Sequence, residues 1–244
     1  MTVPMTRTDH HVHSTWSDDA TATTWGNLAA ARSAGLASVR MVEHVRSSTT
    51  DVPAFLAEVA ALPRVEGLEV LTGVEAKILD ASGRLDVPGD LVVGPGGVDR
   101  VLIADHQFPG PDGPWSPRRT LEEIEGGLHP QDALDILVTA TVRAMDQVPR
   151  AQLAHLFSLL PKIGLHESAL SDDHLGAIAA AAVRTGTTVE VNEKWRCPGP
   201  RVVLAFAAAG VTLVGSTDSH EASSVGRYSW VAGTVTAERL AGIR

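Results

Sequence analysis

The chain begins with two histidines separated by one residue, His11-Val12-His13, and an acidic residue, Asp18, follows His13 five positions later. A second polar cluster, Asp218-Ser219-His220, lies near the other end of the chain. Imidazole and carboxylate groups are the side chains that hold catalytic divalent metal ions. Residues i and i+2 of a strand point to the same face, so His11 and His13 could bind one ion if residues 8–13 form a strand.

Single residues of the same types recur between these clusters, each at the end of a short apolar segment. They are His44, Glu75, His106 and His155. In an α/β barrel, catalytic residues collect at the C-terminal ends of the strands. The distribution therefore predicts one metal site at the mouth of a barrel. His10 should point away from its two neighbours because side chains alternate along a strand.

The elements that would position these residues can be read from the alternation of β-branched runs with Ala- and Leu-rich stretches. We predict strands at 8–13, 38–43, 69–75, 100–105, 151–156, 187–192 and 211–216, and helices at 22–34, 52–61, 131–147, 172–185 and 199–209. This order indicates parallel βαβ units. Seven strands suit a closed or nearly closed barrel, and a doubly wound sheet is the competing architecture.

The segment 107–119 interrupts the pattern. It reads QFPGPDGPWSPRR, and its four prolines and three charged residues predict an irregular loop. It follows His106 directly, and long loops in compact domains are often functional. We interpret it as a lid or substrate loop, with a solvated insertion as the alternative.

Composition limits the classes of partner. The 244 residues carry a formal net charge of −9, which argues against long nucleic acid and anionic membranes as partners. A small phosphorylated substrate remains compatible, because bound metal ions would add positive charge.

The single cysteine, Cys197, excludes an internal disulfide, and no signal sequence or membrane-spanning stretch is evident, so we expect a cytoplasmic protein. The oligomeric state stays open.

Seven segments, in order, resemble motifs of the PHP (polymerase and histidinol phosphatase) superfamily, and the match covers nearly the whole chain. They read HHVHSTWSDD, MVEH, GVEAKILDASGRLDVPGDL, VLIADH, AHLFSLLPK, VEVNEKW and VGSTDSHEASSVGR. The resemblance implies a single domain over residues 1–244, a distorted (β/α)7 barrel similar to a TIM barrel. Glu43, Lys77 and Asp105 depart from the residues usual at their positions, although none of these departures removes a metal ligand.

The resemblance also implies two or three divalent ions, and zinc, manganese and iron all suit its ligand types. Three sets of residues follow from motif position. They are His11, His13, Glu75 and Asp218 for one ion; Glu75, as a bridge, with His106 and His155 for a second; and Asp18, His44 and His220 for a third.

The activity that the resemblance implies is hydrolysis of a small phosphomonoester by hydroxide that the metal ions generate from water. Histidinol phosphate and a nucleoside monophosphate are examples from the family. Asp18 and His220 are the candidate catalytic residues, and the leaving group would take its proton from Asp18 or from a water. The alternatives are a phosphodiesterase or exonuclease acting on short oligonucleotides, which the acidic charge disfavours, and a non-catalytic metal-binding module, which the complete ligand set disfavours.

Basic residues near the expected mouth are candidates for binding substrate phosphate, since the arginine fork matches phosphate geometry. They are Arg46, Arg196, Arg227 and Lys194.

Two further pairs of residues have candidate roles near the mouth. Glu190 and Asn192 share a strand face, and we interpret them as hydrogen-bonding partners that orient a metal-binding histidine. Trp16 and Trp195 could line the pocket or pack in the core.

Overall fold

Nine strands and seven α-helices make up the part of the chain that the structure describes, residues 4–234, in a computed structural model. The strands are β1 (Thr8–Val12), β2 (Ser38–His44), β3 (Glu69–Lys77), β4 (Arg100–Ala104), β5 (Phe108–Gly110), β6 (Gly113–Trp115), β7 (Gln152–Ala154), β8 (Thr188–Asn192) and β9 (Leu213–Ser216). The helices are α1 (Thr24–Ser33), α2 (Val52–Ala60), α3 (Pro117–Glu125), α4 (Pro130–Gln147), α5 (Asp172–Thr185), α6 (Pro200–Ala208) and α7 (Trp230–Thr234).

Seven strands form one parallel sheet in the order β1-β2-β3-β4-β7-β8-β9. The two outer strands meet, because the His13 backbone N–H donates to Ser219 O (2.8 Å) and the Ser219 N–H donates to His11 O (3.3 Å). The carboxylate of Asp9 strengthens this seam by accepting hydrogen bonds from the backbone N–H (2.9 Å) and hydroxyl (2.6 Å) of Thr217. The sheet is therefore a nearly closed (β/α) barrel, as predicted, and not an open doubly wound sheet.

The predicted strands and helices are confirmed, each within a few residues of its predicted bounds. The helix predicted at 131–147 is α4, and its apolar stripe, which includes Leu134, Leu137 and Met145, is buried. Helix α5 begins with a capping box between Ser171 and His174, which satisfies backbone donors at its first turn. Residues 1–3 and 235–244 of the predicted domain lie outside the described residues.

The prediction of an irregular loop at 107–119 is wrong. Strands β5 and β6 form an antiparallel hairpin there, and α3 begins at Pro117. The rings of Phe108 and Trp115 stack across the hairpin, and both side chains are buried. The prolines are tolerated because the hairpin is a short, separate ribbon and Pro117 occupies the first turn of a helix. Ser116 accepts from the Arg119 N–H, a capping signal that the sequence contained.

None of the helices within residues 4–234 has the length and apolarity needed to cross a membrane.

Candidate metal centre

Strand register brings the predicted ligands to one end of the barrel. In the β2–β3 pair, His44 lies directly opposite Glu75. The β3–β4 pair places Lys77 opposite Ala104, so His106 emerges just beyond the end of β4. His11 and His13 lie at the end of β1. Because parallel strands end at the same edge, residues far apart in the chain become neighbours here.

The floor of the site consists of buried imidazoles and one carboxylate. His11 Nε2 and His13 Nε2 lie 2.9 Å apart, and His13 Nε2 lies 3.3 Å from Asp218 Oδ1. All three side chains are at most 5% exposed. These three residues form one of the groups whose ligand atoms are close enough to share an ion.

Glu75 lies at the centre of the site, and its two oxygens face different histidines. Oε2 lies 2.9 Å from His44 Nε2 and 3.4 Å from the Nε2 atoms of both His11 and His13. Oε1 lies 2.9 Å from His155 Nε2 and 3.1 Å from His106 Nε2. A carboxylate in this position can bind two ions at once, which is the bridging role that the resemblance implies.

The third predicted set, Asp18, His44 and His220, does not form a single group of neighbouring ligand atoms. His44 and His220 group with His13, and Asp18 groups with Asp19 and His44. It is Asp19, however, that reaches both histidines, with Oδ1 3.4 Å from His44 Nδ1 and Oδ2 3.2 Å from His220 Nε2. The side chain of Asp18 is 79% exposed and lies 4.0 Å from Arg46. Asp19 is a residue that sequence reasoning missed, and the tandem acidic pair was the available signal.

Backbone strain accompanies two of these residues. His155 and Asp218 have φ values of 28° and 50°, in the region that non-glycine residues rarely adopt. Such residues persist where the surrounding structure over-determines them, and they cluster at functional sites. The His155 N–H is held by Glu190 Oε1, and Asp218 Oδ2 accepts from the Trp195 indole N–H (2.6 Å).

A second layer of hydrogen bonds orients the imidazoles. Buried Glu190 accepts from His11 Nδ1 (3.1 Å), from Gln152 Nε2 (2.9 Å) and from Asn192 Nδ2 (2.8 Å). This arrangement agrees with the interpretation of Glu190 as a group that orients a metal-binding histidine, and with Asn192 as its partner. Contacts of this kind fix ring orientation and raise the basicity of a ligand.

Glu43 orients His13 indirectly, through Ser17. Its carboxylate accepts hydrogen bonds from the hydroxyls of Ser14 and Ser17, both at 2.6 Å. The Ser17 Oγ in turn lies 3.1 Å from His13 Nδ1 and accepts the His44 backbone N–H at 3.1 Å. Glu43 therefore ties the loop after β1 to the end of β2.

Neighbouring groups of opposite charge shift the pKa values of the buried histidines and carboxylates in the site. Burial would lower the pKa of His11, but the carboxylates of Glu190, Glu75 and Asp218 outweigh it and raise this pKa well above its usual value. Burial would raise the pKa of Glu75, yet the neighbouring histidines, His106 first, hold it well below its usual value. The site is thus a set of carboxylates that require nearby positive charge, which protons or metal ions can supply.

The donor set fits divalent metal ions. It mixes imidazole nitrogen with carboxylate oxygen, the ligand types of catalytic zinc, manganese and iron sites. Its Nε2 atoms converge on shared carboxylate oxygens instead of pointing to separate partners, and the Nδ1 atoms of His11, His13 and His155 have hydrogen-bonding partners of their own. His10, by contrast, bonds Ser38 Oγ at 3.0 Å, as strand alternation predicted.

A cavity of about 360 Å³ opens above the metal centre. Arg46, Lys194 and Trp195 line it, together with Lys77 and Gln107, which sequence reasoning did not assign to substrate. Lys77 follows Glu75 by two residues on β3, so the alternation rule contained the signal for it.

The other predicted substrate contacts lie elsewhere. Arg227 lines an adjacent cavity of about 430 Å³ that also contacts Lys194 and His220. Arg196 is exposed and lines neither of these cavities. Trp16 packs against Phe55 and donates its indole N–H to Glu58, so it belongs to the structure around α2.

Two proteins with similar sequences are probable phosphatases. A probable phosphatase from Shewanella sediminis (strain HAW-EB3) is 28% identical over 240 residues, which cover 91% of this chain and 81% of the relative. A probable phosphatase from Shewanella sp. (strain MR-4) is 28% identical over 233 residues, covering 90% of this chain and 79% of the relative. No known protein-family profile matches the chain.

Solved structures share the fold. The histidinol phosphate phosphatase of Lactococcus lactis subsp. lactis Il1403, solved with zinc, L-histidinol and phosphate, superimposes with a TM-score of 0.61 at 15% identity, covering 96% of this chain and 91% of that one. A Listeria monocytogenes protein described as a histidinol phosphatase gives 0.63 at 13% identity, covering 94% of this chain and 100% of that one.

Proposed function

We propose that the protein is a metal-dependent phosphatase of the PHP superfamily that hydrolyses a small phosphomonoester. The observation that carries this proposal is the position of Glu75, whose two oxygens lie within 3.4 Å of five histidines beneath a cavity. The phosphatases among the relatives and the histidinol phosphatases among the structural neighbours support the same reaction.

The residues that would hold the metal ions are the three sets that the resemblance implies, with Glu75 as the bridge and Asp19 added beside Asp18. Divalent ions bound there would supply Lewis acidity for the phosphate and would lower the pKa of water towards about 7. Glu190 and Glu43 would keep His11 and His13 in the orientation that ligation requires.

The chain itself would position the substrate and provide a proton. Arg46 and Lys194 both line the cavity and are suited to hold phosphate oxygens. The acidic pair Asp18-Asp19 lines the same cavity, and one of these carboxyl groups or a water would give the leaving alcohol its proton; Asp19 is the one that also contacts His220. General acid catalysis by a positioned group contributes about 10²–10⁴-fold to a rate.

The size of the cavity favours a monoester over an oligonucleotide. About 360 Å³ lies at the low end of the range of roughly 300–1,000 Å³ for small-ligand sites. The test compares 4-nitrophenyl phosphate with bis(4-nitrophenyl) phosphate, which share a leaving group, on protein loaded with zinc, manganese or iron. We expect kcat/KM for the monoester to exceed that for the diester by at least about tenfold, a discrimination that a fitted polar site can achieve. Faster cleavage of the diester would favour a phosphodiesterase, and cleavage of neither ester by any metal-loaded form would contradict the proposal.

A further inference from the structure

The cavity above the metal centre has a floor, formed by the histidines and carboxylates of that centre, and a wall, formed by its other lining residues. The floor and the wall differ in charge. Apart from the histidines and carboxylates of the candidate metal centre, its polar lining consists of Arg46, Lys77, Lys194 and Gln107. Three of these four side chains are cations. The carboxylates that line the cavity, by contrast, are the ones that group with histidines at the metal centre.

Lys77 stands in this wall because β3 places it there. It follows Glu75 by two residues, so both side chains share the inner face of the strand. Its ammonium lies 3.5 Å from Asp86 Oδ2, while Asp86 Oδ1 is occupied by the Ser47 backbone N–H at 2.8 Å. An ammonium has three donors, and the contact with Asp86 uses at most one. Asp86 thus holds the ammonium in place and leaves donors for a group in the cavity.

Lys194 adds a second lysine to the lining of the cavity. Lys194 Nζ lies 3.3 Å from Asp218 Oδ2 and lines the cavity beside Trp195. The ammonium of Lys162 lies 4.0 Å from the centroid of the Trp195 ring, although Lys162 itself does not line the cavity. A leaving group that carries an ammonium would therefore meet like charge at both Lys77 and Lys194.

We propose, on the basis of the proposed function, that the leaving alcohol of the substrate carries a second anionic group, and that Lys77 binds it. The phosphate to be hydrolysed belongs at the metal centre on the floor, where Arg46 and Lys194 are suited to hold its oxygens, and Lys77 remains for the other end of the substrate. A carboxylate and a second phosphate share this chemistry. Phosphate esters of cationic amino alcohols would be poor substrates.

The test uses phenyl phosphates that differ only in a para substituent: carboxymethyl, phosphonomethyl, hydroxymethyl and aminomethyl. The methylene group keeps the phenol leaving groups similar, while the charge changes from negative through neutral to positive. For the metal-loaded protein we expect kcat/KM to fall in that order, by about tenfold between the better anion and the neutral ester, as one charge-assisted hydrogen bond implies. The two anionic esters distinguish a carboxylate from a phosphate.

Substitutions of Lys77 test whether its side chain binds the second anionic group. Lys77→Met should lower kcat/KM for the better anionic ester by about tenfold and change the neutral ester by less than about threefold. Lys77→Arg should restore the preference, because it keeps the charge. Arg84→Met is the matched control: Arg84 is a cation on the same 77–86 segment that pairs with Asp80 and does not line the cavity.

The outcomes separate this inference from the proposed function. Equal rates on all four esters, or a preference for aminomethyl, would overturn the inference while leaving the phosphatase proposal intact. An equal loss on every ester in Lys77→Met would mean that Lys77 contacts the transferred phosphate, which also overturns it. If no ester is hydrolysed, the proposed function fails, and calorimetric titration with the matching para-substituted benzylphosphonates still decides the charge preference.

Discussion

The Nε2 atoms of His11 and His13 lie 2.9 Å apart at the end of β1, with Glu75 Oε2 3.4 Å from each of them. Two imidazole nitrogens and a carboxylate oxygen at these distances can share a proton or bind one cation. The Nδ1 atom of each ring already has another partner, so both Nε2 atoms are directed to the same point. This geometry is what a metal ligand pair requires.

Replacement of His13 by alanine should therefore remove both bound metal and activity. We expect His13→Ala to lower kcat/KM for an aryl phosphate by more than about 100-fold, because it deletes a direct ligand. Metal content, measured by inductively coupled plasma mass spectrometry, should fall in parallel. The matched control is His10→Ala, since His10 belongs to the same strand but bonds Ser38. Full metal content and full activity in His13→Ala would exclude His13 from the site.

Glu190 should tune metal affinity without touching the metal. Its carboxylate lies behind His11 and also holds the His155 backbone, so Glu190→Gln removes the charge that orients two ligands. We expect metal affinity to fall by about 10–100-fold, the usual effect of losing such a partner. Competition with a chromogenic chelator measures it. Glu167→Gln is the control, because the Glu167 carboxylate accepts the Gly199 N–H and, among the described residues, has no hydrogen bond to a candidate metal ligand; equal effects in the two variants would refute the orienting role.

Asp19 and Asp18 should differ in their effect on turnover. Asp19 contacts His44 and His220, whereas Asp18 is largely exposed. We expect Asp19→Asn to lower kcat by about 10–100-fold and Asp18→Asn by less than about threefold. Steady-state kinetics on one aryl phosphate would measure both variants. The reverse order would return the catalytic role to Asp18, as the sequence pattern suggested.

The roles of Asp18 and Asp19 are an example of what could not be predicted from the sequence. Strand ends could be located, because an apolar run followed by a His or Glu is visible in the sequence, and parallel register then brings His44 beside Glu75. The loop after His13 has no such regularity. Its conformation includes long-range hydrogen bonds that no local pattern reveals, in which the N–H groups of Thr21 and Ala22 donate to His220 O. Likewise, the hairpin at 108–115 rests on the stacking of Phe108 and Trp115, which a count of prolines does not reveal.

Glu193 gives a prediction about stability and pH. Its carboxylate accepts the backbone N–H groups of Trp230 and Val231 at the start of α7, both at 2.9 Å. Burial would raise the pKa of Glu193, but these hydrogen bonds prevail and lower it from 4.5. A depressed folded pKa stabilises the protein above the unfolded value, and that contribution is lost as the pH falls through the folded pKa.

The variant Glu193→Gln should therefore be destabilised at pH 7 by about 1–2 kcal/mol, as expected for hydrogen bonds to a charged acceptor. The difference from the unmodified protein should shrink as the pH falls below 4.5. Urea unfolding followed by circular dichroism at several pH values measures it. Glu125→Gln, a change at an exposed acid at the end of α3, serves as the control. A difference that persists unchanged at low pH would contradict a role for the charge.

The most direct test of metal-dependent phosphatase activity is a metal titration of chelator-treated protein in which bound metal and hydrolysis of 4-nitrophenyl phosphate are measured in the same samples. Activity should be negligible without metal and should rise with bound zinc, manganese or iron to a plateau at two or three ions per chain, with no rise in His13→Ala. Hydrolysis that is independent of metal, or full loading of the site without any hydrolysis, would contradict it.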